Sequence, residues 1–185
     1  LMGEAQNIFK QYYASFRANF SVYLRYVYNR QIRELEELVS QHNTARVLDI
    51  GCGCGSELLW LAYRYKADVL GIDLKQDRLD VANVRAKILE QLTGNKLNCS
   101  FQHENLLGLE SSERFDIVWT QQTFHHLEPR SQIVQKMAEL ATSGGYLVIA
   151  EVNAWNPLIQ MQMLLKRGFK TIKEYTDSDG VQHIY

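Results

Sequence analysis

The chain predicts an α/β fold: a doubly wound, mostly parallel, seven-stranded sheet with an antiparallel hairpin at its C-terminal end and a helix ahead of it. Three observations predict it. Short apolar runs alternate with helical patterns between residues 47 and 152, as successive β-α units require. The run Val47-Leu48-Asp49-Ile50-Gly51-Cys52-Gly53-Cys54-Gly55 takes an apolar strand into a glycine-rich turn. A second apolar run, Gly71-Ile72-Asp73-Leu74, ends on an acid. Strand, turn, helix, strand and acid in this order place a nucleoside at the carboxyl edge of a parallel sheet.

The elements follow in order. Residues 4–40 hold one long helical pattern, in which Phe9, Tyr12, Tyr13, Phe16, Phe20, Leu24, Val27, Ile32, Leu35 and Val39 recur at three- and four-residue steps. Polar residues 41–46 read as a linker, and 47–51 as a short buried strand. A helix over 56–66 turns Leu58, Leu59, Leu61 and Ala62 inward, and 68–73 is the second strand. The next helix covers 76–92, with Leu79, Ala82, Val84, Ile88 and Leu89 on its apolar side, and Gly94 ends it. Residues 97–103 and 115–120 are the third and fourth strands. Pro129 opens a helix to Leu140, since proline is tolerated in a first turn. Gly144-Gly145 turns the chain into a fifth strand, 146–152. Asn156-Pro157 starts a further helix that Gly168 stops. Residues 169–176 and 181–185 are strands joined by the hairpin turn Asp177-Ser178-Asp179-Gly180.

Composition narrows the function classes. At 185 residues the chain fits one domain with a substantial core. A net charge of −1 argues against nucleic acid as the main partner. No apolar run reaches the roughly 18 residues of a membrane span, and the first residues do not read as a signal peptide. Three cysteines make no disulfide framework, so a reducing, cytoplasmic setting is expected. Cys52 and Cys54 lack further ligands nearby, and no metal site is expected.

The glycine spacing selects the ligand. A dinucleotide fingerprint needs G-x-G-x-x-G with a diphosphate on the helix N-terminus. Here the run is G-x-G-x-G, and Glu57 and Asp49 set carboxylates beside the turn. Two acids suit a ligand with cationic groups and no phosphate, such as S-adenosylmethionine, with its ammonium, sulfonium and ribose diol. On these residues the segment resembles the first motif and acidic loop of class I S-adenosylmethionine-dependent methyltransferases, whose fold is Rossmann-like. The resemblance covers residues 43–185, leaving 1–42 as an N-terminal helical lid on the cofactor-binding core.

The resemblance implies roles for individual residues. Asp49 is expected at the methionine ammonium, with Gly51, Cys52 and Gly53 lining the methionine moiety. Asp73 takes the ribose diol, and Leu74 lies against the adenine. In the family an Asp usually stands at position 105. This chain has Asn105, whose side-chain oxygen can still accept a bond from the adenine amino group, with Glu104 as a rival and Leu106 beside them. The segment Phe115-Asp116-Ile117-Val118 through His125-His126-Leu127 is similar to the fourth strand and H-H-L of many small-molecule methyltransferases. Asp116 is structural in this reading, and Thr120 and Gln121 approach the sulfonium.

His125 and His126 are candidate general bases, because histidine titrates near neutral pH; both equally suit hydrogen bonds that hold a helix start. Glu151, at the end of the fifth strand, either orients a substrate hydroxyl or amine or is a strand-end charge. Tyr13, with Tyr12, Phe16 and Phe20, would enclose cofactor and substrate; the same helix also suits core packing or a homodimer interface.

Methyl transfer from a sulfonium is an in-line displacement that needs alignment and exclusion of water. The Asn/Asp-Pro-Pro-Tyr/Phe motif of many amino-group methylases is absent; Thr120-Gln121-Gln122-Thr123 stands in its place. A small-molecule acceptor methylated on oxygen or carbon is therefore expected. The alternative is a cofactor-binding sensor or partner subunit without turnover, and a nicotinamide oxidoreductase is disfavoured by the glycine spacing. The stretch after the fifth strand is short where relatives carry substrate-recognising insertions, so a trimmed or gapped chain is also an expectation.

Overall fold

The computed structural model describes residues 22–110 and 112–151, with Asn156, Pro157, Gln160, Met161, Leu164, Leu165, Glu174–Thr176 and Gln182–Ile184. Helix α1 (Val22–Ser40) leads into β1 (Arg46–Ile50), α2 (Ser56–Tyr65), β2 (Asp68–Asp73) and α3 (Gln76–Thr93). Then come β3 (Cys99–His103), a 3-10 turn (Leu106–Gly108), β4 (Phe115–Gln121) and a second 3-10 turn (Phe124–His126). Helix α4 (Arg130–Leu140), β5 (Ala141–Ala150), β6 (Glu174–Thr176) and β7 (Gln182–Ile184) complete the described elements.

The sheet order is β3-β2-β1-β4-β5, and every neighbouring pair is parallel. Its order reverses between β2-β1 and β4, so a crevice opens at the carboxyl ends of β1 and β4, where α/β folds bind ligands. Two apolar clusters hold it. Val47, Val69, Ile117 and Trp119 pack under α1 and α2 with Leu35, Val39, Leu58 and Leu61. On the other face, Leu48, Ile50, Ile72 and Val118 pack with Ile133, Met137 and Leu140 of α4. Strands buried on both faces read as continuous apolar runs, as in a parallel sheet.

Several expectations are corrected. Among the described residues the main sheet has five strands rather than seven, and β6 and β7 pair antiparallel with each other as a separate two-stranded sheet. A hairpin closes through its own local turn, whereas its docking onto a sheet edge is decided by tertiary contacts that periodicity does not report. The hairpin turn itself, 177–180, lies outside the described residues.

Gly144-Gly145 does not separate a turn from a strand either: β5 begins at Ala141, directly after α4, and passes through both glycines. Phe115 pairs with Ala141 but Ile117 with Tyr146, so the glycines absorb extra residues as a bulge. Gly144 has φ +81°, and a side chain at Gly145 would meet the Asp116 carbonyl oxygen at 2.9 Å. On α3 the expected Leu79 and Ala82 are buried and Leu89 packs against the core; Val81 and Ala86 join them, while Ile88 is exposed.

The C-terminal half of the long N-terminal pattern belongs to the core. Leu35 and Val39 are each 1 % exposed, and Trp60 of α2 donates to Glu36 at 2.6 Å. The aromatic positions 9–20, Tyr13 among them, lie outside the described residues.

Candidate active site

The glycine turn forms the floor of the crevice. Gly51, Gly53 and Gly55 have φ of +77°, +53° and +68°, left-handed conformations that favour glycine. Gly51 N and Cys52 N both donate to the Ile72 carbonyl, which pins the turn to β2. Arg85 of α3 reaches across to donate to the Cys54 carbonyl at 2.6 Å and to Ser56 Oγ at 3.0 Å. No local sequence signal marks this arginine, because its target lies 31 residues away.

Asp73 ends β2 and is 8 % exposed. Its Oδ2 accepts the Gly53 amide at 2.9 Å and its Oδ1 the Lys75 amide at 2.8 Å, so the acid ties the turn to its own strand. Each carboxylate oxygen has a second lone pair for a further donor. Asp49, 3 % exposed, lies under the same turn. Burial, then the charges of Glu57 and Asp73, push its carboxyl well above the ordinary range. A cation set beside these acids would lower that carboxyl again and recover the cost of burying it.

The remaining predicted residues divide. Leu74 is 60 % exposed, an apolar wall beside Asp73. His103, at the end of β3, contacts the Leu74 carbonyl at 3.0 Å through Nε2. Asn105 Oδ1 accepts the Leu107 amide at 3.0 Å, so this side chain caps the 3-10 turn and holds one lone pair there. The Leu106 side chain is 2 % exposed in the core, which restricts its reach into the crevice to its backbone. Cys52 is likewise turned inward, with Sγ against position 71. Thr120 is fully buried and donates to the Ile50 carbonyl at 3.1 Å, a link between strands rather than a crevice group. Asp116 accepts the Arg46 amide at 2.8 Å, in keeping with a structural role.

The end of β4 forms the opposite wall. Gln121 Nε2 donates to Gln31 Oε1 at 2.9 Å, tying α1 to the crevice rim. Gln122 has φ +53°, an uncommon conformation for a side-chain-bearing residue, and its amide donates to the Ala150 carbonyl at 2.9 Å. Thr123 lies directly over Gly51. His125 and His126 follow in the 3-10 turn, ring centroids 3.9 Å apart. Glu151 meets His125 twice: Oε2 lies 3.0 Å from Nδ1, and Oε1 accepts the His125 amide at 3.3 Å. Among the predicted residues, therefore, Asp49, Gly51, Gly53 and Asp73 converge at one wall, and Gln121, His125, His126 and Glu151 at the other.

Backbone at left-handed glycines with two buried acids beside it fits a nucleoside carrying positive charge and a diol. Fold and site together define a methyltransferase domain of the class I, Rossmann-like kind. The chain belongs to the methyltransferase-domain family, whose sequence profile matches residues 41–181.

Methyltransferase GfsG of Streptomyces halstedii is 30% identical over 158 residues, covering 84% of this chain and 54% of that protein. A ubiquinone biosynthesis O-methyltransferase of Leptothrix cholodnii is 30% identical over 121 residues, covering 64% of this chain and 49% of the other. The chain thus spans about half the length of these curated relatives. Magnesium protoporphyrin IX methyltransferase from Synechocystis, crystallised with S-adenosylhomocysteine, shares the fold at a TM-score of 0.62 and 15% identity, over 97% of each chain.

Proposed function

We propose that the protein binds S-adenosylmethionine in the carboxyl-edge crevice and transfers its methyl group to a small-molecule acceptor, with oxygen or carbon favoured over nitrogen. The observation that carries this reading is the convergence of Asp73 and buried Asp49 on one left-handed glycine turn. When bound, the cofactor supplies an already activated methyl group. The chain's part is to bind, align and exclude water.

In this reading Asp73 takes the ribose diol and Asp49, with the backbone of Gly51, Cys52 and Gly53, the methionine end. Leu74, the Leu106 backbone and Asn105 border the adenine, and Gln121 borders the reacting centre. His125, His126 and Glu151 are the acid–base groups. The segment 1–42, with Tyr13, forms the lid over the core of 43–185, anchored in that core by Leu35 and Val39, and the same helix serves a homodimer if one forms. The names of the relatives, among them a ubiquinone biosynthesis and a tocopherol O-methyltransferase, support a small organic acceptor.

Among the described residues no helix is long and apolar enough to cross a membrane, and Cys52, Cys54 and Cys99 are free thiols. These observations support a cytoplasmic, reducing setting.

The reading is tested by S-adenosylhomocysteine release from S-adenosylmethionine over a panel of phenols, catechols and carbon acids. Acceptor-dependent release that Asp73→Ala abolishes supports it. Tight cofactor binding without release for any acceptor favours a sensor or partner subunit instead.

A further inference from the structure

We propose that Asn105 sets the nucleobase selectivity of the crevice by presenting its side-chain NH2, a donor, so that a 6-oxopurine nucleoside is accepted there as well as an adenine nucleoside. The proposal rests on the methyltransferase reading above and deepens it at the base end of the cofactor.

The sheet order fixes which residues a base would meet. Asp73 closes β2, the glycine turn follows β1, and β3 flanks β2 on its other side. A nucleoside carries its tail and its base on opposite sides of the ribose. With the diol at Asp73 and the charged tail over β1, the base extends over the end of β3. In the parallel ladder His103 is the register partner of Asp73, so residues 103–105 come next beyond the diol. The wall at this point is Leu74, 60 % exposed, whose carbonyl lies 3.0 Å from His103 Nε2. A carbonyl only accepts, so Nε2 donates, and this ring nitrogen is taken up by the wall.

Glu104 and Asn105 follow, and each has an oxygen held by the 3-10 turn. Glu104 Oε1 accepts the Asn105 amide at 2.8 Å and lies 2.9 Å from where a Cβ at Gly108 would stand. Asn105 Oδ1 accepts the Leu107 amide at 3.0 Å, and its backbone carbonyl accepts the Gly108 amide at 3.0 Å. A backbone N–H requires an acceptor, so the Leu107 contact also settles which arm of the carboxamide is the oxygen. The planar side chain then directs Nδ2 away from the turn, on a residue that is exposed.

That orientation decides the pairing. A carboxamide matches adenine at two points only when its oxygen takes the N6 amino group while its NH2 meets N7. The Asn105 oxygen is directed into the turn, which leaves the NH2 alone. On adenine it has N7 to meet, and the 6-amino donor gains no partner from this residue. A 6-oxopurine shows acceptors at both N7 and O6, so the same NH2 finds an acceptor at either position. Asn105 therefore gives no selection for the 6-amino group.

The test is calorimetric titration with S-adenosylhomocysteine and with S-inosylhomocysteine, its 6-oxo counterpart, on protein shown to be folded by circular dichroism. In the wild type the two dissociation constants should lie less than about tenfold apart. Asn105→Asp keeps an oxygen for the Leu107 amide and replaces the outward donor by an acceptor. It should move the ratio toward S-adenosylhomocysteine by at least about tenfold. Glu104→Gln should leave the ratio at its wild-type value.

A wild type that prefers S-adenosylhomocysteine by tenfold or more would overturn the proposal, and this ratio decides without any variant. An Asn105→Asp variant with the wild-type ratio, or a ratio that moves with Glu104→Gln instead, would overturn it as well. These outcomes leave cofactor binding intact and count against the selectivity alone. Failure of a folded wild type to bind either ligand would sink the methyltransferase reading, and the inference with it.

Discussion

Thr123, at the end of β4, lies so close over Gly51 of the glycine turn that a Cβ at Gly51 would fall 2.4 Å from both Thr123 Cγ2 and Oγ1. The two walls of the crevice touch at this point. Thr123 Oγ1 also donates to the Gln121 carbonyl at 3.1 Å, which holds the threonine in place.

Gly51→Ala should therefore be doubly costly. At φ +77° a side chain costs about 1–2 kcal/mol in backbone strain alone. The clash with Thr123 adds to it. In a double-mutant cycle by urea unfolding, Gly51→Ala/Thr123→Ala should lose less than the sum of the single losses, with a coupling of at least about 0.5 kcal/mol. Strict additivity would show that the contact is not felt.

Asp49→Asn should separate stability from binding. The folded carboxyl titrates well above its ordinary 3.8, through burial first and the Glu57 and Asp73 charges second. Between the two pKa values the native state binds more protons than the unfolded state, so stability falls as pH rises. The contribution of Asp49 is fully present below about pH 3.8 and is lost as pH climbs through the folded value. Asparagine carries no such loss. The stability gain of Asp49→Asn over wild type, read from urea midpoints without ligand, should be near zero in acid and grow toward neutral pH. Cofactor affinity should move the opposite way, because in the proposed binding mode this carboxylate faces the methionine ammonium.

Gln122→Gly tests the strained corner between β4 and β5. A left-handed backbone costs a side-chain-bearing residue about 1–2 kcal/mol, against a glycine entropy cost of about 0.5–1 kcal/mol. Thermal unfolding should show Gln122→Gly unchanged or slightly stabilised, and Gln122→Val destabilised by at least about 1 kcal/mol. A Gln122→Gly variant as unstable as Gln122→Val would contradict the assigned conformation.

The cysteines of the turn should be poor nucleophiles. Burial pushes the Cys54 thiol up to about 11 despite the nearby Arg85 and Arg78, and burial with the Asp49 and Asp73 charges pushes Cys52 higher still. Thiol labelling of the folded protein at mildly alkaline pH should leave both slow to react, and urea should release them. Fast labelling under native conditions would show the turn to be open.

Much of this arrangement was legible in the sequence, because its signals are local. Gly51–Gly55, Asp73 and Gly94 announce a turn, a strand end and a helix stop by residue type alone. The inward stripe Leu58, Leu59, Leu61 and Ala62 follows from helical spacing. What was not legible depends on distance in the chain. Periodicity could not tell that Glu151 turns to His125, that Thr123 covers Gly51, or that Arg85 holds the Cys54 carbonyl. Nor could it place the C-terminal strands β6 and β7, which pair with each other and not with β5 among the described residues. Asn105 was legible as a polar residue just after a strand end, but not that its oxygen accepts the Leu107 amide, a bond set by the 3-10 turn that follows.

The most direct test of the central claim is S-adenosylhomocysteine titration by calorimetry on the wild type and on Asp73→Ala, with circular dichroism to confirm that both are folded. Charge-assisted hydrogen bonds contribute about 1.5–3 kcal/mol each, so loss of the ribose contacts should weaken binding by at least about tenfold. Saturable one-to-one binding in the wild type with that loss in Asp73→Ala is the predicted result. A folded wild type that binds no S-adenosylhomocysteine, or an Asp73→Ala variant that binds it as tightly, would contradict the account.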